Sequence, residues 1–419
     1  MSRSVRGQGV NDETCGSGLR KYLIGFDAWT IGFICGFCFI WPTSSLASEN
    51  IRVALADNAT RVVISSSHSI TLRFPSGPRV IESKSLVVRS DRGGLNINGR
   101  RLAFKKVFVR ISRGHLRLSV QSSVSGGSPG STTRQWVLNG RVEIQQQQAK
   151  LLVINEVDVE TYVAGVVTGE INTSWHAEAL KAQAVAARTY VLYKKMMNQQ
   201  QPYDVVSSVQ DQVFQGQGQV NAKVEAAIRS TRGQVITYDQ HPILAAYSST
   251  AAGPTEDASY VWNVDVPYLK GVECPFDDLS PRYRWRAAVS LETLERQFRK
   301  LNYPVGTIAT ITPFSLTPSG RIDRIRILHS RGQLILRGQD FRRVAGYSTI
   351  LSTQFQIEHM GRELILVGKG SGHGVGLCQW GMKEMAELGY SHEAIVRYYY
   401  PGTELLALSQ VNLSPPLLQ

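Results

Sequence analysis

The sequence predicts an α+β fold, on three observations. Residues 51–154 alternate short β-type runs ("RVVISS", "SITLRF", "SLVVRS", "VFVRIS", "LLVIN") with turn signals such as "DRGG", and no helical period there outlasts a turn. From Glu156 onward the pattern becomes helical around an Ala-rich central stretch. Between Ile308 and Leu336 strand patterns return, as in "RIDRIRILHSRGQLIL", an inserted β segment among helices. The expected organisation is a leader over 1–47, a β-rich N-terminal region over 48–150 and a mixed α+β domain over 151–410.

The leader is distinct in chemistry. Arg3, Arg6, Arg20 and Lys21 precede "YLIGFDAWTIGFICGFCFIW", apolar but for Asp27, and "PTSSLAS" follows with small residues at Ser45 and Ala47. Such a segment is either a secretory signal cleaved near Ala47 or an uncleaved anchor with the rest of the chain outside. The expectation is an exported protein, in the periplasm or cell wall, that meets the membrane only through its N-terminal segment. Nearly all of the net charge of +13 lies beyond the leader, which favours polyanionic partners. Outside the cytoplasm these are wall polymers and lipid headgroups. No Arg-Lys block or basic-aromatic interleaving stands out, so nucleic acid is not expected as a partner. Cys15, Cys35 and Cys38 fall in the leader. Cys274 and Cys378 remain, too few for a disulfide scaffold but an even pair whose bonding the sequence leaves open.

In the helical part, Ser174 can cap a helix starting at Trp175, with Glu178 in its first turn and Leu180, Ala184, Ala187 and Val191 as its buried stripe. Six of the eleven residues from Ala177 to Ala187 are alanine, so a neighbour can approach this helix closely. A helix over Asn221–Arg229 stops near Gly233 and leads into the hairpin "QVITYDQHPILAAYSS". "SLETLERQFRKLN" is amphipathic, with Leu291, Leu294, Phe298 and Leu301 inward. The last two helices, Gln379–Leu388 and His392–Tyr399, end at Gly389 and Pro401. The tract "IQQQQAK" and residues 125–133 read as solvated hairpin tips.

Three stretches carry candidate chemistry. Glu170 follows the apolar string "VAGVVTG"; burial there would raise its pKa and keep it protonated near neutral pH, as a general acid requires, although most carboxylates so placed are solvated or capping. "GKGSGHGVGLCQWG" holds six glycines around His373, which brings His373, Gln379 and Trp380 to a helix entrance. It is either a ligand-approaching loop or a structural turn with a core histidine. "AYSSTAAGPTED" ends a strand in the hydroxyls of Tyr247, Ser248, Ser249 and Thr250, with Glu256 as a second carboxylate or an exposed loop acid. No Gly-x-Ser-x-Gly elbow surrounds these serines, and none of the eight histidines stands in a His-Glu-x-x-His arrangement.

Taken in order, "VINEVDVETYVAGVVTGEI", "WHAEALKAQAVAARTY", "DQVF", "AAIRSTRGQVITY", "AYSSTAAGPTED", "PYLKGV" and "GSGHGVGLCQWGMKEMAELGYSHEAIVRYYYPGTEL" resemble the stage II sporulation protein D (SpoIID) and amidase-enhancer LytB family, over roughly Leu151 to Leu405. The resemblance implies a peptidoglycan enzyme, a lytic transglycosylase that cuts glycan strands between N-acetylmuramic acid and N-acetylglucosamine, preferring strands without stem peptides. It places the acid/base at Glu170. Ordinary glycosidases use two carboxylates, whereas in this reaction the substrate's own C6 hydroxyl attacks, so one residue can first donate and then accept a proton. By analogy His373 and Gln379 partner the sugar or Glu170, Tyr247 and Ser249 line the groove, Trp380 offers a stacking face, and Gln183 and Arg188 on the alanine helix support the acid. Some sporulation-type members bind zinc beside that helix; here the corresponding positions are Gln199, Val205 and Asp211, so no metal or other cofactor is expected. The enhancer side of the family implies the alternative, a non-catalytic wall-binding protein that stimulates a cell-wall amidase.

Overall fold

Alternating apolar residues make β1 (Asn50–Phe74) long and one-sided: Val62, Ile64, Ile70 and Leu72 all point into the core. The computed structural model describes residues 49–75, 77–123 and 131–415; the leader and most of the 125–133 tip lie outside them. Eight further strands follow: β2 (Gly77–Asp91), β3 (Gly94–Ile97), β4 (Arg100–Leu102), β5 (Lys106–Ile111), β6 (Leu116–Ser123), β7 (Ser131–Leu138), β8 (Arg141–Gln147) and β9 (Lys150–Asp158). β1 pairs β9 near its start and β5 near its end, and β8 joins β5 to β9, so this antiparallel path closes on itself. The glutamine tract completes β8 and turns at Gln148, which takes a left-handed φ of 54°.

Asp158 ends β9 and caps α1 (Val159–Glu170), its carboxylate accepting from the Glu160 (2.9 Å) and Thr161 (3.3 Å) backbone N–H groups. Periodicity does not mark this helix, because residues 162–168 are buried on every side and show no polar stripe. Glu170 therefore ends a helix rather than lying in a loop. α2 (Ala177–Met197) starts two residues later than its sequence suggests and is capped by His176, whose Nδ1 accepts from Glu178 N–H (3.3 Å). The cause is local: Asn172 Oδ1 takes the Ser174 N–H (2.9 Å) and the Asn172 carbonyl takes that of Trp175 (3.2 Å), folding residues 172–175 into a turn. Residues 182–189 of α2 are wholly buried, and the alanines let α1, α3 (Ala222–Ser230) and β11 (Gln234–Tyr238) pack on them. Between α2 and α3, β10 (Val205–Val206) runs parallel to β1.

Across this contact Arg188 forks onto Glu160, Nε to Oε1 at 2.9 Å and Nη2 to Oε2 at 2.6 Å; it also reaches the Gln234 carbonyl, and Glu160 accepts from the Gly233 N–H. Both side chains are buried, so each charge depends on the other.

After β11 come β12 (His241–Pro242), β13 (Tyr247–Ser248) and α4 (Ala258–Trp262). The inserted unit follows: β14 (Arg284–Ser290), α5 (Leu291–Lys300), β15 (Ile308–Leu316), β16 (Ile322–His329), β17 (Gly332–Arg337), α6 (Gly338–Ala345), β18 (Phe355–Met360) and β19 (Glu363–Lys369). It has a core of its own around Phe298, Ile311, Ile325 and Phe341, whereas the N-terminal sheet and the remaining helices share the larger one. Leu291, Leu294 and Phe298 of α5 face inward, but Leu301 is 44% exposed because the helix stops one residue before it. The chain closes with β20 (Leu377–Cys378), α7 (Gln379–Glu387), α8 (His392–Tyr399) and β21 (Glu404–Ala407), the last paired with β11. Among the described residues no helix is long and apolar enough to cross a membrane.

Losing one partner of a buried pair costs about 3–5 kcal/mol, because the other charge stays behind. Glu160→Gln is expected to lower stability by that order in denaturant unfolding, and Glu160→Gln with Arg188→Met to recover much of it. A Glu160→Gln protein as stable as the parent would contradict this role.

Candidate active site

Two glycines one helical turn apart, Gly165 and Gly169, open one side of α1. A Cβ at Gly165 would meet the Phe214 ring and the Gly216 carbonyl, and one at Gly169 would overlap the Val213 carbonyl. Residues 212–216 therefore lie directly on the helix, with Gln215 N–H on the Gly165 carbonyl at 3.1 Å. This approach delivers the Val213 N–H to Glu170 Oε1 at 2.6 Å.

Two side chains complete the surroundings of Glu170: Tyr247 and Gln379 both stand close enough to act as donors toward its carboxyl. They arrive together because β13 and β20 pair in parallel, Tyr247 opposite Leu377 and Ser248 opposite Cys378. Gly376 is required for that pairing. It has a φ of 71°, and any side chain would strike the Ala246 carbonyl. Gln379 is buried at the start of α7 and donates to Gln183 Oε1 at 3.3 Å. The Gln183 Nε2 is left buried without a partner among the described residues, an unusual state for a native amide.

Hydrogen bonds behind Tyr247 fix the direction of its proton. The Tyr162 hydroxyl donates to Gln212 Oε1 (2.9 Å), and Gln212 Nε2 donates to the Tyr247 hydroxyl oxygen (2.9 Å). The Tyr247 proton is then free to point at Glu170. Burial, with the Glu170 charge adding to it, pushes the Tyr247 phenol well above its ordinary range, so it remains a donor. For Glu170 itself burial dominates: it raises the carboxyl from 4.5 to about 6, against the opposing pull of the bonds from Val213, Gln379 and Tyr247. Its position at the C-terminal end of α1, where helix carbonyls gather, works in the same direction as burial.

Nearby acids are already satisfied. Asp211 is held by Lys194 (2.9 Å), the Tyr190 hydroxyl (2.9 Å) and the Val206 N–H (2.9 Å), and Asp204 is paired with Arg52 (2.6 Å). Glu256, which its sequence leaves as a second carboxylate or an exposed loop acid, is 2% exposed and binds the hydroxyls of Thr317 (2.7 Å) and Ser319 (2.8 Å), tying the inserted unit to its loop.

The other expected site residues surround this centre without joining it. His373 is engaged with backbone, its Nδ1 accepting from the Val375 N–H (3.0 Å), and it makes a further hydrogen bond to the Tyr247 backbone. Burial and the charges of Arg342 and Arg321 lower it to about 3, so it stays neutral, with its ring 4.8 Å from that of Trp262. It holds the glycine-rich segment rather than Glu170. The Trp380 ring is half-buried, edge-on to Trp175 at 5.4 Å and beneath the Lys383 ammonium at 5.6 Å. The Ser249 hydroxyl meets Thr250, and its carbonyl accepts from the Trp380 N–H (3.1 Å). Arg188 acts about three turns from the centre, through Glu160. Sequence reasoning misses Tyr162, Gln212 and Val213; "DQVF" carries two of them, but no residue pattern marks an amide and a backbone N–H as partners of an acid.

A raised carboxyl leaves a mark on stability. Between about 4.5 and about 6 the folded state binds the proton more tightly than the unfolded chain, so stability falls as pH rises through that window. Glu170→Gln removes the charge, and is expected to unfold at higher denaturant than the parent near pH 7 and to match it near pH 4. A parent at least as stable as the variant near pH 7 would contradict the raised value.

Comparison with known proteins agrees with the order of these elements. The family model described as Stage II sporulation protein matches residues 147–238, which span α1, α2 and β11, and a second, described only as a domain of unknown function, matches residues 258–376. An uncharacterized protein of Brachyspira hyodysenteriae is 36% identical over 265 residues, covering 62% of this chain and 70% of that one. The amidase enhancer of Bacillus subtilis is 28% identical over 289 residues, 58% of this chain and 40% of its own length. Stage II sporulation protein D of Bacillus amyloliquefaciens is 32% identical over 267 residues, 60% of this chain and 75% of the relative. With three quarters of that relative aligned, the chain belongs to the stage II sporulation protein D (SpoIID) family.

Proposed function

We propose that this chain is a peptidoglycan lytic transglycosylase that cleaves glycan between N-acetylmuramic acid and N-acetylglucosamine, with Glu170 as the general acid and then the base. The observation that carries the reading is one carboxyl, raised to about 6 and ringed by neutral donors, with Asp211 and Asp204, the acids that share its neighbour Tyr162, already paired. Protonated Glu170 gives its proton to the glycosidic oxygen. The resulting carboxylate accepts the proton of the sugar's C6 hydroxyl as that oxygen closes on C1, leaving a 1,6-anhydro end. No water is consumed and no second carboxylate is needed, unlike hydrolysis. Val213, Tyr247 and Gln379 donate to the carboxylate formed midway and so limit the cost of its charge, while Trp380 offers the sugar a ring face. The chemistry needs no metal: Asp211, at one of the positions where sporulation-type relatives carry zinc ligands, is occupied by Lys194 and Tyr190.

The reading extends to an exported protein, its leader serving as signal or anchor, that acts on wall glycan and prefers strands without stem peptides. A second reading, a non-catalytic enhancer of a cell-wall amidase, is favoured by the similarity to the Bacillus subtilis amidase enhancer.

Purified glycan strands, with and without stem peptides, separate the two when digests are read by mass spectrometry. Anhydro-muramic ends are expected, with a rate reduced about 10²–10⁴-fold by Glu170→Gln. Reducing ends, no cleavage, or an unimpaired Glu170→Gln protein favour the enhancer reading or another enzyme. Tyr247→Phe removes a donor from the carboxylate, so the pH above which activity falls should move upward while the rate drops; an unmoved profile would remove Tyr247 from the mechanism.

A further inference from the structure

Behind the glycine-rich segment, three side chains that take no part in the proton transfer converge: Cys274, Asp277 and Cys378. They are 2%, 1% and 1% exposed, and a ligand atom from each lies within 4.8 Å of the other two. Cys378 comes from the start of α7, and the other two from the turn after "PYLKGV". The Asp277 carboxyl is poorly satisfied. Its Oδ2 accepts from the Ala252 N–H (2.8 Å) and the Cys378 thiol (3.1 Å), but its Oδ1 is buried with no hydrogen-bond partner among the described residues. A buried carboxylate oxygen without a donor is costly, and a thiol is a weak donor for the other.

We infer that Cys274, Asp277 and Cys378 form a buried zinc-binding site. Cys274-x-x-Asp277 has the two-residue gap of paired zinc ligands on one turn, with a carboxylate in the second place. Tetrahedral zinc with bonds of about 2.0–2.3 Å needs ligand atoms about 3.3–3.8 Å apart, which this spacing allows. Two thiols and one carboxyl favour zinc over calcium or magnesium, which take oxygen ligands. Binding displaces the two thiol protons and leaves one negative charge, beside an Arg321 guanidinium that also faces the buried Glu256 carboxyl. Arg321 is 2% exposed, anchored on the Ala251 (2.7 Å) and Pro254 (2.8 Å) carbonyls, and close enough to feel Asp277 and both cysteines. The fourth position falls to Asp277 Oδ1, the oxygen that lacks a partner, or to the Tyr399 hydroxyl, 3.3 Å from Cys274 Sγ. The site is separate from Gln199, Val205 and Asp211. Both cysteines are free thiols in the structure; a disulfide between them would remove the Cys378 donor and leave the Asp277 carboxyl less satisfied than before. The ion would pin the 274–277 turn to the first turn of α7, and thereby fix Gln379 against Glu170.

The test is zinc content of the full-length protein, purified without chelator and measured by plasma mass spectrometry, with cobalt substituted afterwards. One zinc per chain is expected, with a cobalt–thiolate charge-transfer band and a rise in melting temperature on adding zinc to chelated protein. Asp277→Asn and Cys274→Ser should lose most of the bound zinc, and Glu170→Gln should keep it. The inference is overturned by substoichiometric zinc after supply of the metal, by a cobalt complex without the thiolate band, by a Cys274–Cys378 disulfide in the unreduced protein, or by zinc retained in Cys274→Ser. The cobalt spectrum of the parent decides the matter even if a variant fails to fold.

Discussion

A carboxyl withdrawn from water at the negative end of a helix is the constraint that the rest of this structure serves. Glu170 ends α1, where burial and the helix carbonyls both favour the proton, and three donors keep the charged form within reach. If burial were weaker the group would be an ordinary carboxylate with no proton to give near neutral pH. In the proposed reaction, the donors would offset the charge formed when the proton leaves. The value of about 6 is the outcome of that opposition.

The donors come from segments far apart in the chain, so the fold must bring them to one point. Gly165 and Gly169 let residues 212–216 lie on α1 and deliver Val213. The alanines of α2 let α1, α3, α7 and α8 crowd around a single slender helix, and Gln183 on it meets Gln379. Gly376 lets β20 lie against β13, which aligns Tyr247 with Gln379. The Arg188–Glu160 pair then locks α1 to α2, so the acid and its supports move together. Each device trades side-chain volume or charge desolvation for position, as a preorganised site demands.

Much of this was legible in the residues. Regular alternation marked the β-rich start, amphipathic spacing marked α5, and Gly and Pro stops placed α3 and α8 close to their observed ends. The alanine content of α2 announced a close neighbour, which turned out to be several. What stayed hidden had physical causes. α1 is buried on all sides, and a helix without a polar face has no periodic signature. The start of α2 was set by an Asn172 turn that competes with the Ser174 cap. The burial of Glu256 was not legible because its partners, Thr317 and Ser319, belong to the inserted unit. The roles of Val213 and Gln212 depend on a backbone N–H and an amide orientation, neither of which is written in a residue type.

The most direct measurement is a carbon-13 titration of the Glu170 side-chain carboxyl by NMR, assigned by its absence in a Glu170 variant. The account predicts a single midpoint near 6, moving further up when Tyr247 or Gln379 loses its donor. A midpoint at the ordinary carboxylate value of 4.5 would mean that the group is hydrated, and would contradict the account.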